Sequence, residues 1–216
     1  MAVDEALLEE SIRTETIFVR MYRWSEATIS LGHFQNASEQ NTDARLADLP
    51  TVRRLSGGGA ILHHHEQTYC CVIPPGHPLA SRPYQLYEAV HSAIIETLAK
   101  FGVELVSRGR DGTNDREPFL CFLREAAADL VSHGVKVLGS AQRRRKGAVL
   151  QHGSLLLQAS EYAPNLLGLR DLDPGFQTLE KLPEMLGQGI ANVLGSTFVQ
   201  VPLPGRVSQF VALSHN

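Results

Sequence analysis

Between Pro83 and Phe101 the apolar residues Tyr87, Val90, Ile94, Leu98 and Phe101 recur at the spacing of one helix face, with Pro83 placed to start the helix and Gly102 to end it. Upstream, "VDEALLEESIRT" predicts a helix with an acidic first turn. "TIFVRMYRW" and "ATISLGHF" read as two strands joined by a short turn at Ser25 and Glu26. "NASEQNTDARLADLP" carries helix-start chemistry and stops at Pro50. "TVRRL" is a strand running into "SGGGAILHHHE", and "TYCCVIP" is another, halted by Pro74 and Pro75. The nearly apolar-free "SRGRDGTNDRE" predicts a mobile surface loop leading to Cys121. "AADLVSHGVKVLGSAQ" reads as a hairpin turning at "SHG", and "AVLQHGSLLLQ" as a further strand. Two helices, near 178–195 and 204–213, flank a "FVQVPLPG" strand and turn. Strands with interspersed helices predict an α+β domain.

Composition narrows the class. The chain has 216 residues, 43% hydrophobic and 20% charged, which suits one domain with a proper core. No apolar run reaches the length of a membrane-spanning helix, and the acidic start lacks the basic and apolar regions of a signal peptide. Three cysteines without framework spacing point to a reducing, cytoplasmic setting. A net charge of −3 gives no general case for nucleic-acid binding. Of 20 basic residues only Lys100, Lys136, Lys146 and Lys181 are lysines, so a retained lysine draws attention. An ammonium is a compact, tunable charge, and a guanidinium a planar fork.

Three stretches carry candidate chemistry. In "RRLSGGGAILHHHEQT", three glycines after a strand allow close backbone approach to a ligand, beside Arg53, Arg54 and Ser56; a glycine-rich turn with no further role fits the run equally well. It is neither a P-loop nor a dinucleotide fingerprint. In His63, His64 and His65, strand alternation allows at most His63 and His65 to share a ligand, and no cysteine or carboxylate stands at zinc-like spacing, so no metal is expected. In "GVKVLGSAQRRRKGAVLQHGS", Lys136 precedes Gly139, Ser140 and Ala141, small residues whose amides could hold a carbonyl oxygen. Arg143, Arg144, Arg145 and Lys146 read as a solvated turn, a phosphate clamp or a docking patch for an acidic partner. By spacing alone Cys121 reads as a core filler, and Cys70 and Cys71 alternate across a strand as core.

Taken together, "MAVDEALLEE", "RMYRWSEATISLGHFQN", "RRLSGGGAILHH" and "CF…DL…GVKVLGSAQRRRKGAVLQHGSLLL" resemble the biotin/lipoate protein ligase family, in its lipoate ligase and octanoyltransferase branch. The resemblance implies a mixed β-sheet flanked by helices, with a tunnel for a medium-chain acyl group. It assigns the tunnel wall and substrate contacts to Arg54, Ser56, Gly57, Gly58, Gly59 and His63, the acyl carbonyl to Lys136, and further contacts to Gly139, Ser140, Ala141 and His152. Two departures stand out. His64 occupies the place where the family usually has an aspartate, and the chain opens at the first helix without the strand that normally precedes it.

Within that branch, a ligase must activate a free carboxylate with ATP, whereas a transferase starts from a thioester and needs only a thiolate. Cys121 stands fifteen residues before Lys136 and is followed by Phe122, as in one octanoyltransferase group, which makes it the expected nucleophile. The ligases typically carry a small C-terminal accessory domain, for which 216 residues leave little space; the expectation is one catalytic domain over 1–216. The cycle this implies moves octanoyl from acyl carrier protein to Cys121, then to a lysine of a lipoyl domain such as glycine-cleavage H protein. No cofactor is expected, ATP and Mg belonging to the ligase alternative. His63, His152 and Lys136 are candidates for deprotonating the acceptor lysine. Other readings are an amidotransferase between carrier domains and a non-catalytic acyl-binding module; a biotin ligase fits less well.

Overall fold

The computed structural model describes residues 1–36, 43–109, 118–177 and 180–205. Its frame is a six-stranded antiparallel sheet of order β1-β5-β9-β8-β7-β6, built from β1 (Phe18–Tyr22), β5 (Glu66–Ile73), β6 (Val106–Ser107), β7 (Leu130–Ser132), β8 (Val135–Arg145) and β9 (Ala148–Leu156). A smaller sheet joins β2 (Thr28–Leu31) to β3 (Thr51–Arg53) in parallel and to β4 (Ile61–His63) antiparallel. The mixed character read from the sequence is therefore confined to this smaller sheet. The helices are α1 (Ala2–Thr14), α2 (Pro83–Ala99), the single turn α3 (Leu169–Leu172) and α4 (Leu182–Val193).

Strand alternation explains the layering. Phe18, Tyr22, Cys70, Val72, Ala148 and Leu150 cluster on one face with Ala6, Leu7 and Leu8 of α1. Their sequence neighbours Val19, Met21, Tyr69, Cys71, Ile73 and Val149 face the other way, onto Leu86, Val90, Ile94 and Leu98 of α2 and Leu186 and Ile190 of α4. β5 and β9 are buried along their whole length, so neither presents a face to solvent. A third cluster, including Ile29, Leu31, Ala60, Leu62 and Leu120, ties the small sheet to the segment bearing Cys121.

Two hairpins close where positive backbone φ is available. His133 (φ 49°) and Gly134 (φ 78°) turn β7 into β8, as "SHG" predicts, and Lys146 (φ 49°) with Gly147 (φ 84°) turns β8 into β9. The neighbours Val137 and Leu138 both join one core cluster, which a regular strand forbids. The register resolves this: Val131 pairs with Lys136 while Leu130 pairs with Leu138, so Val137 is an extra residue in a β-bulge.

Several expectations change. Residues 43–49 form turns, not a helix, and Leu46 alone of that stretch is buried. The "FVQVPLPG" segment forms no strand among the described residues, because residues 198–204 make no ladder. The helix read at 204–213 and most of the loop before Cys121 lie outside the described residues. Arg143, Arg144 and Arg145 belong to β8, not to a turn, and that strand runs on past Gly139, Ser140 and Ala141. No helix among the described residues is long and apolar enough to cross a membrane.

Candidate active site

Cys121 opens a short 3-10 turn, Cys121–Leu123. Backbone bonds hook that turn to the glycine loop: Ala60 N–H donates to the Phe119 carbonyl at 2.8 Å, and Cys121 N–H to the Ala60 carbonyl at 2.6 Å. The loop lies close because its glycines lack side chains. Gly58 holds φ at +91°, and a Cβ there would stand 3.8 Å from Cys121 Sγ and 3.2 Å from Arg54 Nη2. A Cβ on Gly32 would sit 2.0 Å from the Gly58 carbonyl oxygen, so β2 and the glycine loop touch backbone to backbone.

Arg54 is 2% exposed and spends its guanidinium on carbonyls: Ser30 at 2.7 Å, Gly57 at 2.9 Å and Gly59 at 2.6 Å. Among the described residues no carboxylate pairs with it, and its Nε has no partner. Burial pushes this guanidinium down to about 10, against the pull of a Cys121 thiolate, which acts upward. A buried cation without a counterion thus lies within about 7 Å of the Cys121 sulfur. Cys70 and Cys71 are different, because burial pushes both thiols up, to about 12 for Cys71. Cys121 alone is half-exposed.

Lys136 binds the cysteine turn itself. Its Nζ donates to the Cys121 carbonyl at 3.1 Å and the Arg124 carbonyl at 3.0 Å, and pairs with Asp129 Oδ2 at 2.8 Å. Three N–H groups therefore meet three acceptors. Burial pushes the Asp129 carboxyl up while Lys136 opposes that rise. The 139–141 stretch pairs with β9 along one edge, and β7 stops opposite Leu138, so the other edge has no strand partner there.

Two histidines each meet a carboxylate and a hydroxyl. His63 Nδ1 lies 2.5 Å from Glu66 Oε1 and Nε2 lies 2.7 Å from Ser30 Oγ, with Trp24 stacked on the ring at 4.2 Å. Burial lowers the His63 pKa. Glu66 also accepts the His64 N–H at 2.6 Å, so the carboxylate missing at position 64 is supplied two residues later. His152 Nε2 lies 2.5 Å from Ser56 Oγ, and its Nδ1 faces Asp4 Oδ2 at 3.9 Å.

These groups surround a cavity of about 430 Å³, within the ordinary range for small-molecule sites. Its wall includes Arg54, Gly57, Gly58, His63, Cys121, Lys136, Gly139, Ser140, Ala141 and His152, together with Tyr87, Phe122, Arg124 and Asp129. Ser56 and Gly59 stand behind the wall, holding His152 and Arg54. Beneath it Ser140 Oγ meets Tyr69 Oη at 2.7 Å and His91 Nε2 at 2.8 Å.

Residues 1–167 match the lipoyl protein ligase A/B catalytic domain. The chain belongs to that family. Among its relatives, octanoyltransferase LipM of Bacillus subtilis is 34% identical over 74% of this chain and 62% of its own length. Octanoyltransferase LipM of Kyrpidia tusciae is 30% identical over 91% of this chain and 82% of its own. The chain spans about three fifths of the length of several such curated relatives. In fold it is similar to a putative lipoate protein ligase from T. acidophilum, with TM-score 0.76, 19% identity, and coverage of 98% of this chain and 86% of the other.

Set in this lipoyl ligase A/B domain, the docking patch is dispersed. Arg145 reaches Glu5 and Glu9 of α1 at 3.1 and 2.6 Å, Arg144 donates to the Ala80 carbonyl, and Lys146 stands exposed at the hairpin tip. His64 and His65 stack beyond the end of β4, both within 3.9 Å of Glu161, so alternation does not separate them; they stand outside the cavity wall. Sequence reasoning missed Asp4, Glu66, Ser30 and Asp129. Asp129 stood in the "DL" of the quoted pattern, and Glu66 stood two places past the vacant aspartate position. Nothing in the sequence distinguished Asp4 from its acidic neighbours.

Proposed function

We propose that this chain is an octanoyltransferase of lipoate assembly, moving octanoyl from the thioester of acyl carrier protein through Cys121 to a lysine of a lipoyl domain, glycine-cleavage H protein being the proposed acceptor. The observation that carries this reading is the Cys121 sulfur, half-exposed at an acyl-sized cavity beside the uncompensated Arg54 cation, while both other thiols are buried. The cavity gives a thioester access to that sulfur, and a thiolate can take an acyl group from a thioester without ATP. The relatives named octanoyltransferase LipM support the transfer of octanoyl.

In the first half-reaction the Cys121 sulfur bonds the octanoyl carbonyl carbon, and the carrier thiolate departs and takes up a proton. Lys136 holds the carbonyls on either side of the turn and so fixes the direction of the nucleophile. Its contact with the acyl oxygen, expected from the family, requires one of these bonds to open. The reaction as written needs no cofactor and suits a reducing cytoplasm. Intact mass after mixing with octanoyl-acyl carrier protein, without ATP, tests the reading. An octanoyl adduct absent in Cys121→Ser is expected; lipoylation that occurs only with ATP, with no adduct, overturns it.

A further inference from the structure

We propose that His64, His65 and Glu161 form a surface site for a borderline transition metal ion, zinc being its representative. None of the three residues lines the acyl cavity, so the site is independent of the Cys121 reading. The donors come from two segments: His64 and His65 occupy the bend between β4 and β5, and Glu161 lies in the turn after β9. Consecutive residues of a regular strand point to opposite faces. Here the chain bends, and the two imidazoles stack with ring centroids 3.6 Å apart.

The separations match a small ion. His64 Nδ1 stands 3.5 Å and His65 Nε2 3.9 Å from the same oxygen, Glu161 Oε2. One donor atom from each residue lies within 4.8 Å of the other two. A zinc ion with ligand bonds of about 2.0–2.2 Å sets tetrahedral neighbours roughly 3.4 Å apart. Two edges are therefore near that length, and rotation of the exposed His65 ring can close the third. The backbone is fixed beforehand. His64 N–H donates to Glu66 Oε2 at 2.6 Å, and the His65 carbonyl accepts from Leu157 and Gln158 at 3.0 and 3.2 Å. Ala163 N–H closes the Glu161 turn onto the Ser160 carbonyl at 2.9 Å. Among the described residues no lysine or arginine pairs with Glu161, whose carboxylate meets only the two imidazoles. The cost is one hydrogen bond: Ser160 Oγ lies 2.9 Å from His64 Nδ1, and the ion would take its place.

Donor chemistry narrows the ion. Two imidazoles and one carboxylate suit zinc, copper, nickel or cobalt, whereas magnesium and calcium call for oxygen ligands. Three protein donors leave a fourth position to water. The ion acts as a staple between the segment after β9 and the β4–β5 bend, beside which Glu66 holds both His63 and the His64 N–H. It supplies no group to the acyl transfer.

Zinc chloride is titrated into the untagged full chain near neutral pH and followed by calorimetry, with cobalt absorption reporting the donor type. One zinc per chain is expected. In His65→Ala and in Glu161→Gln it should bind more weakly by roughly tenfold or more, since even an outer-shell partner counts on that scale. Cys121→Ser separates this site from the thiol: it should bind zinc as the wild type does, and cobalt should show ligand-field bands without sulfur charge transfer. Zinc should raise the melting temperature of the wild type and of Cys121→Ser, and do so less in either ligand variant. Absence of saturable zinc binding overturns the site, as does unchanged affinity in His65→Ala or Glu161→Gln. Zinc lost only in Cys121→Ser also overturns it, placing the metal on the sulfur. Octanoyl loading of Cys121, measured without zinc, stands or falls separately.

Discussion

Lys136 and Cys121 were legible as candidates because their fifteen-residue spacing matches one octanoyltransferase group, whereas spacing alone read Cys121 as core. Their relationship was not, since spacing does not reveal that the ammonium grips the carbonyl of the cysteine it was expected to assist. Asp4 was illegible for a plainer reason: an acidic residue in a first helical turn usually faces water. Here it is 2% exposed, between α1 and β1, with Arg20 on one oxygen and Tyr22 on the other. This makes a stability prediction with a definite sign. Its folded pKa lies below the unfolded value, so its contribution is present above about pH 4 and is lost as acid protonates it. Asp4→Asn is expected to cost about 3 kcal/mol at pH 7, by leaving Arg20 with a weaker partner in a mostly buried site. Urea unfolding of both proteins from pH 7 to pH 3 checks it: the gap narrows as pH falls, and a constant gap refutes the ionic account.

At the scale of elements, strong periodicity and turn chemistry carried the reading. The α2 face, the "SHG" turn and the opposite faces of Cys70 and Cys71 follow from spacings of 3.6 and 2. Residues 43–49 and 198–204 misled because polar start signals and short apolar runs do not reveal whether a neighbour is there to complete the element. The bulge at Val137 also escapes the pattern, since it is defined by pairing with β7. Tertiary packing likewise decides Gly32, which is unremarkable in sequence yet sits against the Gly58 carbonyl. A methyl group there must move backbone, because nothing flexible stands in its way. Gly32→Ala is expected to destabilise the protein by about 1–3 kcal/mol and to slow Cys121 acylation several-fold. Gly76→Ala, with open space around its Cβ and no place in the cavity wall, serves as the control for volume alone. Thermal unfolding and a loading time course measure both effects, and equal losses in the two variants would dissociate the loop from β2.

For the whole molecule, the question is how the proposed carrier would reach the cavity of a chain whose net charge is −3. The sheet answers part of it: β8 leads from the cavity wall at Gln142 toward the hairpin tip at Lys146, about 13 Å at strand rise, a span a small carrier domain can cover. Of the basic run, Arg145 is occupied by Glu5 and Glu9, which leaves exposed Arg144 and Lys146 as the charges best able to meet a partner. We propose that they steer the carriers, supplying attraction at a distance rather than chemistry. The double charge reversal Arg144→Glu with Lys146→Glu is then expected to raise the acceptor KM about tenfold at low salt and leave kcat within about twofold. At 1 M salt, where screening acts beyond about 3 Å, the variant and wild type should converge. Steady-state transfer measured across that salt range decides the matter. A KM difference that persists at 1 M salt would mean that the substitutions disturb the hairpin itself, because a steering charge has no means of acting through the screen.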